Sequence, residues 1–287
     1  MGVSSFGDWV GREETAEDWV SASALDRWSA TFDRGDPPFE EGDPVPTLAH
    51  WLLFLPSAPQ SSLGSDGHPM RGGFLPPVHD LPRRMWAGGR VSFLRPLTTG
   101  AHVTRRSTIA AVKEKTGGSG RLIFVTVRHE IAERGNPAAI VEEHDIVYRG
   151  LGGAAVKATE TVADHAAWHR TVTPDAPLLF RYSALTFNGH RIHYDLDYAR
   201  GIEGYPGLVV HGPLIATLLA DLVNRNLPKV PLQKFSFRAF SPLFAGDPMT
   251  VNAAPASEDG RIKLWASNKA GGLAMMAEAC LLGDGHR

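Results

Sequence analysis

Asn188 and His193 lie five residues apart in the stretch Tyr182-Ser-Ala-Leu-Thr-Phe-Asn188-Gly-His-Arg-Ile-His193, and His211-Gly212-Pro213 follows eighteen residues after His193 at the head of an apolar run. An imidazole titrates near neutral pH and can carry a proton in either direction. A side-chain amide cannot act as a base, but it can orient a water or hydrogen-bond a carbonyl. A helix beginning at Gly212-Pro213 would turn free backbone N–H groups and the positive end of its dipole toward a developing anionic oxygen. Glycine at 212 lets a ligand approach that backbone closely. The set fits acid/base chemistry beside an acyl carbonyl, with His193 moving protons, Asn188 orienting and Gly212 in an oxyanion hole.

Each residue also has an ordinary reading. Ile192, Tyr194, Leu196 and Tyr198 alternate with His193, Asp195 and Asp197, as on the wet face of a strand. Asn188 would serve equally as a turn residue bonded to its own backbone, and His211 as a helix-start or packing residue. Arg191, next to His190, is either a bidentate clamp for a substrate carboxylate or a surface cation. The stretch Gly72 to Gly89 mixes glycines and prolines with Arg83, Arg84, Met85 and Trp86. It reads as a connecting loop, and functionally as a substrate-side wall in which Trp86 lies against an acyl chain. There an arginine, Arg84 among the candidates, would meet a phosphate or carboxylate.

The elements that must position these groups repeat once. Pro96-Leu97-Thr-Thr-Gly100-Ala-His-Val-Thr104 matches Pro242-Leu243-Phe-Ala-Gly246-Asp-Pro-Met-Thr250 at Pro, Leu, Gly and Thr. Each copy follows a strand-like segment (Arg90 to Leu94, Phe235 to Phe240) and precedes alternating runs, namely Val103 to Val112, Arg121 to His129 and Ala139 to Tyr148, then Met249 to Ala254, Arg261 to Ser267 and Leu273 to Leu282. Such runs read as antiparallel meanders. Pro213 to Asn224 is apolar nearly all round, which predicts a buried helix; Pro46 to Leu55, bounded by prolines, is its expected counterpart. An amphipathic helix is predicted over Ala22 to Phe32. A buried helix wrapped by a curled antiparallel sheet, twice in one chain, is an α+β double hot-dog. The expected division is residues 1–156 as a half without a catalytic loop, 157–177 as linker and 178–287 as the catalytic half.

A formal net charge of −2 with interspersed signs gives no electrostatic case for nucleic acid or an anionic membrane as partner. No apolar run reaches the roughly 18 residues of a membrane span, and residues 1–30 lack the pattern of a secretory leader. The single Cys280 fits a reducing cytoplasm. A homodimer is admitted by the sequence and not required by it. No phosphate loop, paired CxxC, zinc-binding His-Glu-x-x-His or dinucleotide fingerprint occurs, so neither metal nor redox cofactor is expected.

The string Tyr182 to Ala199 resembles the signature of MaoC-like (R)-enoyl-CoA hydratases: Tyr182, Leu185, Thr186, Ile192, His193 and Ala199 fall in register. Phe187, Asn188, His190 and Arg191 depart from it where that signature has Gly, Asp, Asn and Pro. The Asp is one of the two catalytic groups of those hydratases, so its replacement by Asn188 matters most. The chain is more similar to the type 2 hydroxyacyl-thioester dehydratases and the mesaconyl- and itaconyl-CoA hydratases beside them. There Ser-Ala-Leu-Thr-Phe-Asn-x-His-Arg-Ile-His-Tyr-Asp and the cluster Gly72 to Pro77 with Leu81 to Gly89 are typical. The resemblance implies water addition or removal on a CoA thioester, with coenzyme A as part of the substrate and no other cofactor. It implies catalytic roles for His193, Asn188 and Gly212, and leaves Arg191, His190, Tyr182, His211, Arg84 and Trp86 to bind substrate. A small dicarboxylic acyl group is the expected substrate, with a fatty-acid dehydratase and a non-catalytic acyl-CoA binder as alternatives.

Overall fold

The computed structural model describes residues 6–117, 120–150, 161 and 165–282. Ten strands, β1 (Glu13–Trp19), β2 (Arg83–Phe93), β3 (His102–Gly117), β4 (Gly120–Glu133), β5 (Ile140–Arg149), β6 (Trp168–Val172), β7 (Leu232–Ala239), β8 (Met249–Ala253), β9 (Arg261–Asn268) and β10 (Leu273–Leu281), form one sheet. Its order is β1-β3-β4-β5-β2-β7-β10-β9-β8-β6. Reading outward from the centre, each half runs through corresponding strands, which is the repeat seen in the sequence. Gly100 and Gly246, matched in that repeat, both have left-handed backbone, φ 84° and 85°, a conformation glycine adopts at no steric cost. The halves meet where β2 pairs antiparallel with β7. A Cβ on Gly88 would stand 2.6 Å from the carbonyl oxygen of Phe237, so glycine is required for that seam to close.

The described residues include four α-helices: α1 (Ala22–Thr31), α2 (Ala176–Leu185), α3 (Leu196–Gly201) and α4 (Gly212–Asn226). Every residue of α4 from Leu214 to Val223 is buried against β6 to β10, as its all-round apolar sequence requires. Each fully buried leucine or isoleucine there contributes about 1.5–3 kcal/mol. Asp221, buried on α4, accepts from Arg34, Arg170 and Arg225, which ties the end of α1 and strand β6 to the helix. No helix of the described residues is long and apolar enough to cross a membrane.

Several expectations need correction. Pro46 to Leu55 does not form a second central helix; only Ala49–Leu52 makes a single 3₁₀ turn. Leu48 and Phe54 on either side take positive φ, 66° and 56°, and His50 and Trp51 bond to Glu142 of β5. The first half therefore leaves the concave side of its sheet partly unfilled. The boundary at 156/157 lies outside the described residues. Within the 157–177 stretch, β6 pairs with β8 and Asp175 caps α2, so its later part belongs to the second half. The loop read from Gly72 to Gly89 turns into strand at Arg83, and Tyr182 stands on a helix. Ile192 to Tyr198 is a 3₁₀ turn followed by the start of α3, so its alternation is not that of a strand.

Candidate active site

Asp175 accepts the N–H of Leu178 and starts α2, which delivers Tyr182 and Ser183. The helix ends at Thr186, and Phe187 reverses the chain with φ 47°. Asn188 follows; its N–H donates to Ser183 O at 2.8 Å and its Oδ1 accepts the N–H of His190 at 3.0 Å. The turn role weighed for Asn188 is thus real, and it uses only the carbonyl end of the amide. Nδ2 has no hydrogen bond among the described residues.

The turn Arg191–His193 then directs His193 inward, 7% exposed. Its Nδ1 lies 2.7 Å from Val209 O. A carbonyl only accepts, so Nδ1 carries the proton and Nε2 keeps a free lone pair. The ring stacks on His211, centroids 3.6 Å apart. His211 is the first residue before α4, is buried, and bonds through Nε2 to Ser183 Oγ at 2.8 Å. Burial pushes the His193 pKa down to about 3 and that of His211 well below the usual imidazole range. Burial therefore favours the neutral form of both rings.

A cavity of about 1050 Å³ opens beside this loop. Tyr182, Ser183, Asn188, Arg191 and Pro213 contribute to it from the second half, and Trp51, Trp86 and His68 from the first. His190, His193, His211, Gly212 and Arg84 do not line it. His190, His211 and Gly212 adjoin wall residues: His190 packs tilted against His68, centroids 4.2 Å apart, His211 bonds Ser183 and Gly212 precedes Pro213, while His193 lies one layer further back against His211. A Cβ at Gly212 would meet nothing within 4 Å.

The arginines are largely committed elsewhere. Arg191 donates from Nε and Nη2 to Asp195 Oδ2 at 3.0 and 2.7 Å and from Nη1 to Ser65 O at 2.9 Å. Its fork already holds a carboxylate, which favours the ordinary reading of Arg191 over the clamp weighed beside it. Arg83 binds Glu203 Oε2 at 2.8 Å, and Arg71 donates to the carbonyls of Val78, Leu81 and Pro82. Arg84 is half-buried opposite Tyr148 in the β2–β5 pairing, off the cavity wall. Trp86 stands on the wall, its Nε1 bonded to Gly88 O at 2.8 Å and its ring 5.0 Å from that of Trp51.

Sequence reasoning missed a polar cluster on the cavity wall. Ser107, His129 and Glu142 form one cross-strand row over β3, β4 and β5. Glu142, 2% exposed, accepts from His50 Nε2 at 3.1 Å and Trp51 Nε1 at 2.8 Å, and His144 Nε2 stands 2.8 Å away. Burial would raise this carboxyl, but the imidazoles of His144 and His50 outweigh it and hold its pKa well below the usual range. Arg105 lines the same wall beneath the ring of Phe54. Its Nε has no partner, and Glu14 is 3.7 Å from Nη2. The available signal was Glu142 and His144, two apart on a strand whose inner face should be apolar.

Also unforeseen is the loop Asp66-Gly67-His68, whose Asp66 and His68 ligand atoms lie with those of His190 within 4.8 Å of one another.

Residues 48–245 match the family model described as hydroxyacyl-thioester dehydratase type 2. The chain belongs to that family. This type 2 dehydratase relative is 46% identical over 271 residues to the mesaconyl-C(4)-CoA hydratase of Chloroflexus aurantiacus, covering 94% of this chain and 95% of that one. It is 29% identical over 231 residues to the mitochondrial hydroxyacyl-thioester dehydratase type 2 of Schizosaccharomyces pombe, covering 70% and 75%. Among solved structures it superposes on a MaoC-like dehydratase from Phytophthora capsici with a TM-score of 0.71 at 16% identity, covering 96% of this chain and 97% of that one. A Mycobacterium tuberculosis protein described as having a double hotdog fold gives 0.57 at 13% identity, covering 95% and 96%. The type 2 dehydratase fold is therefore the double hot-dog expected from the repeat, with its first central helix reduced to one turn.

Proposed function

We propose that this protein hydrates a short enoyl-CoA that carries a second polar or anionic group on its acyl part, of the mesaconyl-C(4)-CoA or itaconyl-CoA kind. The observation that carries the reading is the cavity itself, whose wall joins Asn188 and Pro213 at the start of α4 with Arg105, His50, Glu142 and His144. The 46% identity to a mesaconyl-C(4)-CoA hydratase supports the same chemistry.

In this reading the thioester oxygen lies against the N–H groups at Gly212, where the helix dipole favours negative charge. Asn188 Nδ2 orients a water, and His193 Nε2 removes its proton as the oxygen attacks the β carbon. The electron pair of the double bond passes to the thioester as an enolate, and protonation of the α carbon gives the 3-hydroxyacyl thioester. Arg105 meets the second carboxylate. Cytoplasmic location fits the single free thiol of Cys280.

A dehydratase of long fatty acyl chains requires an apolar tunnel where this protein has a buried glutamate, an arginine and histidines, which favours the short polar substrate. The test is turnover of mesaconyl-C(4)-CoA, itaconyl-CoA and crotonyl-CoA, followed by loss of enoyl-thioester absorbance. Turnover of the first two ahead of crotonyl-CoA is expected. Binding of all three without turnover of any would make the protein an acyl-CoA binder.

A further inference from the structure

Hydration moves two protons at two different atoms, off the water and onto the α carbon, yet Asn188 leaves the second half's loop without the titratable carboxylate that would share this work. The first half reaches into the same place. The turn Gly64 to His68, closed by Gly64 N–H to His68 O at 2.7 Å, is fastened to the catalytic loop by Arg191 N–H to Asp66 O and Arg191 Nη1 to Ser65 O, both 2.9 Å. Gly67, at φ 86°, touches Gly189 so closely that a Cβ on it would collide with the Gly189 carbonyl. This junction fixes the position of His68. Its backbone N–H and Nδ1 both face Asp66, at 3.0 Å from Oδ1 and 3.3 Å from Oδ2. A carboxylate only accepts, so Nδ1 carries a proton and Nε2 is the nitrogen left for a ligand. His68 lines the cavity with Asn188 and packs tilted against His190, which in turn meets the His193 ring edge to face at 5.5 Å. His193 itself is one layer behind the wall.

We propose that His68, oriented by Asp66, is a second acid/base group of the hydration, supplied by the first half to the site of the second. This rests on the hydration reading above. As water attacks the β carbon, its O–H bond breaks toward His193 Nε2 and the C–O bond forms while the π pair moves into the enolate. The imidazolium of His68, stabilised by the Asp66 carboxylate, gives its Nε2 proton to the α carbon, and the enolate pair becomes the new C–H bond. His193 ends protonated and His68 neutral. Exchange of one proton with bulk water resets both, so one water is added and no net proton is consumed. The carboxylate–imidazole pairing is the same device that fixes tautomer and orientation in hydrolytic triads.

The test uses the full chain and an enoyl-CoA that the parent turns over. His68→Ala and His68→Gln should each lower kcat by about 10²–10⁴-fold with KM within about threefold, and added imidazole should restore His68→Ala by at least about tenfold. His68→Gln within about threefold of the parent would overturn the assignment, because the amide fills the space and cannot carry the proton. Failure of imidazole to restore His68→Ala would overturn it as well. So would loss of parent activity on dialysis against a chelator with recovery on adding zinc, which would make Asp66, His68 and His190 a metal site. A parent that turns over no enoyl-CoA fails the hydration reading itself.

Discussion

The imidazoles of His193 and His211 lie face to face, centroids 3.6 Å apart and 18° from parallel. Two charged rings cannot occupy that geometry, and burial penalises a charge on either. The Val209 carbonyl fixes the tautomer of His193, so the stack holds one neutral base with its lone pair on Nε2. An acid limb near the ordinary histidine pKa of about 6.5 would have been expected from sequence, and the burial of His193 moves its protonation down to about 3. The ring resonances of His193, assigned by NMR, should therefore show no titration between about pH 5 and 8. A midpoint near 6.5 would mean that the ring is solvated and the stack is not as described.

Acid should weaken the fold through the same burial. His129, His190, His193 and His211 all have folded pKa values depressed below the unfolded value, first by burial and then by neighbouring groups, to about 3 for the first three. A depressed histidine binds its proton more readily in the unfolded chain. Stability is thus full above about pH 6.5 and falls as pH drops toward the folded pKa, by up to about 1.4 kcal/mol per pH unit for each such ring. Urea unfolding between pH 7.5 and 4.5 should show this decline well before Asp66, held at about 2, or Glu142 is protonated. A flat profile down to pH 5 would contradict the buried neutral assignments.

Arg105 should set substrate choice. Arg105→Met removes the guanidinium whose Nε lacks a partner on the cavity wall. Losing a hydrogen bond to a charged group costs about 1.5–3 kcal/mol, or about 10- to 150-fold. That loss is expected in kcat/KM for a carboxyl-bearing enoyl-CoA, while crotonyl-CoA changes little. Equal losses on both substrates would assign Arg105 to the fold.

Asn188 has two jobs on one amide. Asn188→Asp keeps an oxygen to accept the His190 N–H, whereas Asn188→Ala loses both that bond and the Nδ2 donor facing the cavity. Steady-state kinetics should rank the parent above Asn188→Asp, and Asn188→Asp above Asn188→Ala. Equal rates for all three would reduce Asn188 to a turn residue with no part in orienting water.

The sheet, the buried helix α4 and the loop around His193 were legible because each has a local signature: alternation, an all-round apolar run after Pro213, and a motif in register from Tyr182 to Ala199. What escaped depends on contacts distant in sequence. Pro46 to Leu55 looked helical, but His50 and Trp51 are drawn to Glu142, 92 and 91 residues away. The role of Arg191 was open in the sequence: Asp195, which takes its fork, is only four residues on, while its other partner, the Ser65 carbonyl, is 126 residues away. Asp66 and His68 sit in a turn with no motif of their own, and the contact of Gly67 with Gly189 and the Arg191 bonds to Asp66 and Ser65 put them beside the Asn188–His193 loop.

If His193 Nε2 takes the water proton in hydration of a short enoyl-CoA, the kcat of His193→Ala on mesaconyl-C(4)-CoA reads its contribution directly. Removing a general base should lower kcat by about 10²–10⁴-fold with KM little changed, since the wall residues that bind the substrate remain. A kcat for His193→Ala close to that of the parent would contradict the account.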